Sequence, residues 1–193
     1  PAAMTQIDGT AVSGGVNYIM PSFELQPGAR SSSAFGSVTG GLGGDAGHSA
    51  AIPNASIVHQ LNEKTRVGVA LTVPFGLATD YEDEWVGRYH GIESHIEVID
   101  ISPSLSFDVT QAVTFGASIN IQRAEAKLTS AIDGGAACVG GQIQGGATTA
   151  AAVGTCAGLG LSPGSTSSDG LVEIEGDDWS IGYSLGALWQ VAE

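Results

Sequence analysis

Three stretches of this chain alternate between apolar residues and small or polar ones with a period of two. They are residues 67–75, 113–121 and 179–191, and in each the odd positions are apolar. Successive side chains of a β-strand point to opposite faces, so this period predicts strands with one apolar face. The last stretch is longer than a usual soluble strand of about five or six residues and suits a tilted bilayer crossing of about 9–11.

Weaker alternation at residues 10–20, 52–61 and 95–109 brings the prediction to about six strands. The connections alternate in length, because residues 61–65 and 108–112 read as tight polar turns. The other connections are long loops at about residues 21–51, 76–93 and 129–176. Short turns at one end and long loops at the other are typical of outer-membrane barrels. We therefore predict an all-β fold, an antiparallel transmembrane β-barrel.

Six strands do not close a membrane barrel, because the smallest have about eight and an open edge in lipid leaves backbone groups unpaired. Residues 10–193 are therefore expected to form a partial barrel. The chain opens at Pro1 without a basic and apolar leader segment, so we expect an internal piece of a longer protein. No stretch approaches the roughly 18 consecutive apolar residues of a membrane-spanning helix.

Charge and motif content narrow the classes of function. The 20 acidic side chains outnumber the 6 basic ones, and the net charge of −14 argues against a nucleic-acid partner. His48, His59, His90 and His95 are scattered without the spacing of metal ligands, and no hydrolase motif is present in the sequence. We expect no metal site, no cofactor and no enzymatic activity.

Both cysteines, Cys138 and Cys156, lie in a segment rich in Gly, Ala, Thr and Ser between residues 130 and 170. This segment reads as a large surface loop with a short helix around residues 148–153. A disulfide that closes the loop is one interpretation of the two cysteines, and free thiols are the other.

Several motifs carry a resemblance to a known family. They are PFGLATDY at residues 74–81, WVGRYH at 85–90, SPS at 102–104, QRAEAK at 122–127 and GDDWSIGY at 176–183. The chain resembles the FadL/TodX (OmpP1) family of Gram-negative outer-membrane transporters for long-chain fatty acids and other hydrophobic compounds. The resemblance implies a monomeric barrel of fourteen strands with an N-terminal hatch. Pro1 and Ala2 look like the end of a hatch motif, so residues 1–9 would be the tail of the hatch.

The resemblance also implies an apolar groove among the extracellular loops and a lateral exit where one strand kinks inward. The candidate gate is Pro74, Phe75 and Gly76. Proline gives no N–H to a ladder and glycine has no side chain to hold the pleat, so a strand should bulge or bend here. The alternative is that Pro74 and Gly76 simply end a strand and begin a loop.

Candidate ligand contacts fall into two groups. The apolar group is Phe75, Leu77, Tyr81, Trp85 and Tyr89, for which ordinary loop packing is the alternative. The basic group comprises the candidates for a fatty-acid carboxylate: Arg88, Arg123 and Lys127. For these, pairing with Glu125 or neighbouring acids is the alternative.

Three functions remain in competition from the sequence. The first is transport of long-chain fatty acids or related hydrophobic compounds, with outer-membrane lipid and lipopolysaccharide around the barrel. The second is a surface-exposed barrel that serves as an adhesin or phage receptor. The third is a soluble β-sandwich that acts as a binding module.

Overall fold

The computed structural model describes residues 1–191 of the chain. A six-stranded antiparallel sheet dominates it, with the order β1-β4-β5-β6-β7-β8. The strands are β1 (Thr10–Ile19), the short pair β2 (Ser32–Ser33) and β3 (Gly36–Ser37), β4 (Ala50–Asn62), β5 (Thr65–Asp80), β6 (Glu93–Asp108), β7 (Val113–Asp133) and β8 (Asp169–Trp189). The helices are α1 (Gly134–Gln144) and α2 (Thr149–Gly158), with 3₁₀ turns at Ala2–Gln6 and Thr166–Ser168. Within residues 1–191, no helix is long and apolar enough to cross a membrane.

The six predicted strands and both tight turns are confirmed, but the second and third long loops are shorter than expected. β5 continues to Asp80, β7 reaches Asp133, and β8 already begins at Asp169. The reason is that ladder pairing extends as far as Asp80 opposite Glu93 and Asp133 opposite Asp169. This pairing provides hydrogen-bond partners for the backbone N–H and C=O groups, although the side chains there no longer alternate between apolar and polar. The last two residues of the predicted span 10–193 lie outside the described residues.

The two faces of the sheet differ as the alternation predicts. The outer face exposes apolar side chains such as Phe115, Ile119 and Leu185, and Ile181 is 79% exposed. The inner face carries small and polar residues such as Ser106, Thr114 and Ser118. Apolar side chains therefore cover the face that turns away from the interior of a barrel.

The segment before β1 packs on the inner face. Ala2 is buried beside Gly116, where an added Cβ would collide with the Ala2 backbone. Thr5 and Thr114 share a hydroxyl–hydroxyl hydrogen bond of 3.3 Å, and the buried Arg66 donates from Nε to the Ile7 carbonyl at 3.1 Å. The inner-face glycine thus provides the space in which this segment lies.

The loop between β7 and β8 contains two helices, of which the sequence predicts only α2. Asp133 caps α1 by accepting from the Ala136 N–H at 2.8 Å. A disulfide joins Cys138 of α1 to Cys156 of α2, and the buried Val139 and Ala152 pack with it in a small apolar core. The glycine-rich sequence of α1 hides its helical character, because glycine is a poor helix former.

We expect Gly116→Val to displace residues 2–6 from the inner face, because overpacking of this kind costs about 1–3 kcal/mol. Hydrogen exchange of the Met4 and Ile7 amides in the full-length protein, measured by mass spectrometry, should accelerate by about tenfold. Gly176→Val is the matched control, since a Cβ there meets nothing within 4 Å. Unchanged exchange in the Gly116 variant would contradict this packing role.

Candidate functional site

The pairing of β5 with β6 contains one irregularity. Thr72 lies opposite Asp100, whereas Phe75 lies opposite Val98, so β5 has one more residue than β6 in this interval. Pro74 falls inside it and has no N–H to donate to a ladder. The shift lies where Pro74 and Gly76 predict a bulge, and the strand does not end there.

The extra residue inverts the faces of β5. Before it, Leu71 lies opposite Ile101 on the outer face. Beyond it, Phe75 and Leu77 lie opposite Val98 and Ile96, which belong to the inner face. A shift of one residue moves every following side chain to the other side of a sheet. The large side chains at the end of β5 therefore turn inward, and the small ones turn outward.

The wall of the sheet opens at the same place. The β4–β5 ladder ends at the pair Ala55–Leu71. Beyond this pair, residues 50–54 continue to pair with β1, whereas residues 75–80 pair with β6. Only an isolated bridge between Gly47 and Thr79 reconnects β5 to the β4 side of the gap. The result is an opening between two strands that is closed at both ends.

A cavity of about 230 Å³ lies in this opening. Its lining is mostly apolar and comes from both sides: Ile19, Pro21, Phe23, Ala50, Ala51, Ile52, Val73, Gly76, Leu77, Ala78 and Ile96. His48, His95 and Glu97 add polar groups. The volume is below the roughly 300 Å³ of the smallest usual ligand pockets, so the cavity would hold a small ring or part of a long chain.

The loop that covers one side of the cavity is fixed by Asp45. Its carboxylate accepts from the backbone N–H groups of Phe23 at 2.8 Å and Gly47 at 2.9 Å. These two hydrogen bonds lower the pKa of Asp45 below its ordinary value. Gly47 must be small, because a Cβ there would collide with the Pro21 carbonyl. Phe23 and His48 are thereby placed beside the opening.

The proposed apolar contacts from the sequence separate into two places. Leu77 and Gly76 line the cavity, and Phe75 lies on the inner face next to it. Tyr81 and Trp85 instead stack on each other within their loop, with ring centroids 3.9 Å apart. The cavity residues from the β1–β4 side, such as Ile19 and Ile52, were not predicted. Both lie on the inner face of the sheet, whereas Val16 and Tyr18 lie on the outer face. This difference in face is the indication of their role that the sequence gives.

Arg88 is not available to a ligand carboxylate in this structure. It is 1% exposed, and its Nε donates to the Asp169 carboxylate at 2.5 Å. The other four N–H groups donate to the carbonyls of Thr39, Trp85 and Gly164 and to the Tyr89 hydroxyl. Because a guanidinium has five N–H donors, all of them are used. In this structure Arg88 therefore has no N–H group free for a ligand carboxylate, and the residue ties three loop segments together.

Tyr89 belongs to the same cluster. Its hydroxyl donates to the second Asp169 oxygen at 2.7 Å, and its ring lies 4.6 Å from the Arg88 guanidinium carbon. Burial, followed by the hydrogen bond to Asp169, raises the pKa of Tyr89 well above its ordinary value. The phenol thus stays protonated and continues to donate at any physiological pH.

Arg123 and Lys127 lie on the outer face and pair with acids. Arg123 is 3.4 Å from Glu125 and 3.5 Å from Asp177, and Lys127 is 2.7 Å from Glu93 and 3.6 Å from Glu173. Neither residue lines the cavity in the opening. The structure brings both into a charged row beyond the apolar part of the outer face.

We expect Arg88→Met to loosen the loops at the long-loop end, because removal of one partner of a buried ion pair costs about 3–5 kcal/mol. Limited proteolysis of the full-length protein in membranes should show faster cleavage within residues 81–92 and 159–169. Arg30→Met is the matched control, because Arg30 is exposed in its loop. Equal cleavage rates for both variants would contradict the role of Arg88.

Comparisons with known proteins agree with the fold of the chain. The chain is 26% identical over 197 residues to the long-chain fatty acid transport protein of Escherichia coli K12, across 99% of the chain and 41% of that protein. It therefore spans about two-fifths of the length of the curated relatives that it matches. It also matches the crystal structure of a Pseudomonas aeruginosa FadL homologue with a TM-score of 0.80 and 25% identity, over all of this chain and 43% of the other.

A second structure, a deletion mutant of the TodX monoaromatic hydrocarbon channel, shares the fold with a TM-score of 0.58 and 19% identity, over all of this chain and 46% of the other. The sheet is thus part of an outer-membrane β-barrel, and the soluble sandwich is excluded. The model of the outer membrane protein transport protein family (OMPP1/FadL/TodX) matches residues 1–193. This chain belongs to that family of Gram-negative outer-membrane proteins.

Proposed function

We propose that the protein carries long-chain fatty acids or related hydrophobic compounds across the outer membrane and releases them sideways between β4 and β5. The observation that carries this proposal is the apolar cavity in the part of the wall where the ladder between these strands is missing. On this view the protein acts as a monomeric transporter and not as an enzyme.

The apolar residues around the opening support this route. Phe75, Leu77, Ile96 and Val98 form an apolar surface on the inner face, and Leu77 and Ile96 also line the cavity. Each methylene that leaves water contributes about 0.8 kcal/mol, so a long chain is attracted to such a surface without any covalent step. A lateral exit lets the chain pass into lipid without crossing a water-filled pore.

Entry would use the apolar surface of the extracellular loops. Phe23 and Leu42 are exposed large apolar side chains in the first long loop, and Leu159 is exposed after α2. The disulfide between Cys138 and Cys156 holds α1 against α2, which keeps this part of the loop surface rigid. Ligand would collect in a groove among these loops before it reaches the opening.

The charged row on the outer face has a separate role in this proposal. Arg123 and Lys127 lie just beyond Ile121 and Ile119, which belong to the apolar part of the same face. In this proposal the row borders lipopolysaccharide, and Arg123 and Lys127, which are paired with acids, do not bind the carboxylate of the transported ligand.

Gly76→Phe tests the lateral exit. A Cβ at Gly76 meets nothing within 4 Å, so the backbone there has room for a side chain, and a phenyl ring would project into the opening. Uptake of labelled oleate by cells that produce the full-length variant should fall severalfold. Gly14→Phe is the control, because it adds the same side chain to the outer face of β1, where a Cβ meets only the Asn54 carbonyl at 3.5 Å.

Heat-dependent migration in gels verifies that both variants form barrels. Normal uptake by a folded Gly76→Phe protein would overturn the lateral route. Display of loops to a host cell or a phage needs no apolar opening, so that function predicts unchanged adhesion or phage binding in both variants. If oleate uptake does not depend on the protein at all, transport itself is wrong.

A further inference from the structure

We propose that the opening between β4 and β5 selects amphiphiles with a neutral polar end, such as long-chain alcohols or undissociated fatty acids, over carboxylate anions. This inference rests on the proposed lateral transport and concerns the chemical class that passes through it. It arises from the polar groups of the cavity, which are His48, His95 and Glu97. Among the residues that line the cavity, none is lysine or arginine.

Two of these polar groups, Glu97 and His95, lie on the outer side of the opening. Glu97 lies opposite Gly76, and His95 lies opposite Ala78, in the part of β5 that follows the bulge. His95 Nε2 is 3.8 Å from the Glu97 carboxylate. Leu77 and Ile96 line the inner side of the same cavity. A ligand in the opening would therefore place its apolar part inward and its polar end toward Glu97 and His95.

The nearest cations are already engaged. Lys127 lies opposite His95 but binds Glu93 at 2.7 Å, and Arg123 pairs with Glu125 and Asp177. Arg88 uses all five donors in the loop cluster. Within the cavity lining, the side chain that lies within 4.0 Å of the Glu97 carboxylate is His95.

The remaining three basic residues do not line the cavity either. Arg66 holds the Ile7, Asn62 and Glu63 carbonyls at the short-turn end of the barrel. Lys64 lies in the β4–β5 turn at that same end, and Arg30 lies exposed in the first long loop. None of the six basic residues of the chain lines the cavity, and none forms an ion pair with Glu97 within 4.0 Å in the described part of the chain.

Hydrogen-bond chemistry favours a neutral end group here. An ionised carboxylate only accepts, whereas a neutral imidazole both donates and accepts. A hydroxyl can donate to Glu97 and accept from a histidine N–H, so both of its functions are satisfied. A carboxylate anion would meet Glu97 as a like charge, with Asp80 and Glu93 beside the adjoining pocket at His95. Such a pair is disfavoured roughly fivefold at contact distance in water.

The experiment compares two ligands of equal chain length in cells that produce the full-length protein at pH 7.5. Initial uptake rates are measured for labelled hexadecanol and labelled palmitate, and the ratio of the two is compared between variants, which cancels later metabolic steps. The variants are Glu97→Gln, Glu97→Lys and the control Glu175→Gln. Glu175 lies on the outer face of β8 and does not line the cavity. Glu175→Gln therefore removes the same charge from the protein as Glu97→Gln but leaves the opening unchanged.

We expect Glu97→Gln to raise palmitate uptake relative to hexadecanol by roughly fivefold, because it removes the like-charge repulsion, and Glu97→Lys to raise it further, because it replaces the repulsion by an attraction. Glu175→Gln should leave the ratio unchanged. An unchanged ratio in folded Glu97→Gln and Glu97→Lys proteins would overturn the selection while lateral transport, tested by Gly76→Phe, stands. A ratio that shifts equally in Glu175→Gln would also overturn it, since overall surface charge would then be the cause. Uptake of both ligands at the level of cells without the protein would overturn both proposals.

Discussion

Everything at the candidate site depends on how the backbone of β5 is paired. A membrane wall must satisfy its N–H and C=O groups within the sheet, because lipid offers no partners. The single extra residue between Thr72 and Phe75 keeps β5 paired with β6 while its ladder with β4 ends at Leu71. The Gly47–Thr79 bridge then restores a connection to the β4 side of the gap. An opening can exist in this wall because the strands around it are paired on their other sides.

The strands could be predicted from the sequence, whereas the inversion of β5 could not. Period two marks which residues share a face only while the register is unbroken, and residues 67–75 alternate without interruption. Phe75 therefore reads as a continuation of the outer face, although it lies on the inner one opposite Val98. Pro74 indicated a bulge, but the direction of each later side chain is set by β6, whose pairing a single sequence does not show.

The basic residues show a second limit of prediction from a single sequence. The count of six made Arg88, Arg123 and Lys127 conspicuous, but their roles depend on partners distant in sequence. Asp169, which binds Arg88, is 81 residues away along the chain, and Asp177 approaches Arg123 only through the β7–β8 register. In the sequence, Arg88 and Tyr89 stand in the WVGRYH motif at residues 85–90, which does not show what they contact.

The same extra residue accounts for both the shape and the polarity of the opening. Because the faces of β5 invert, the large Leu77 points inward and the small Gly76 and Ala78 point outward. Removal of large side chains from the outer side makes room there, and Glu97 and His95 on β6 border that room. Without the shift, Leu77 would stand on the outer face and cover the polar pair. An apolar inner side and a polar outer side are therefore consequences of one register change, which gives any amphiphile in the opening a defined orientation.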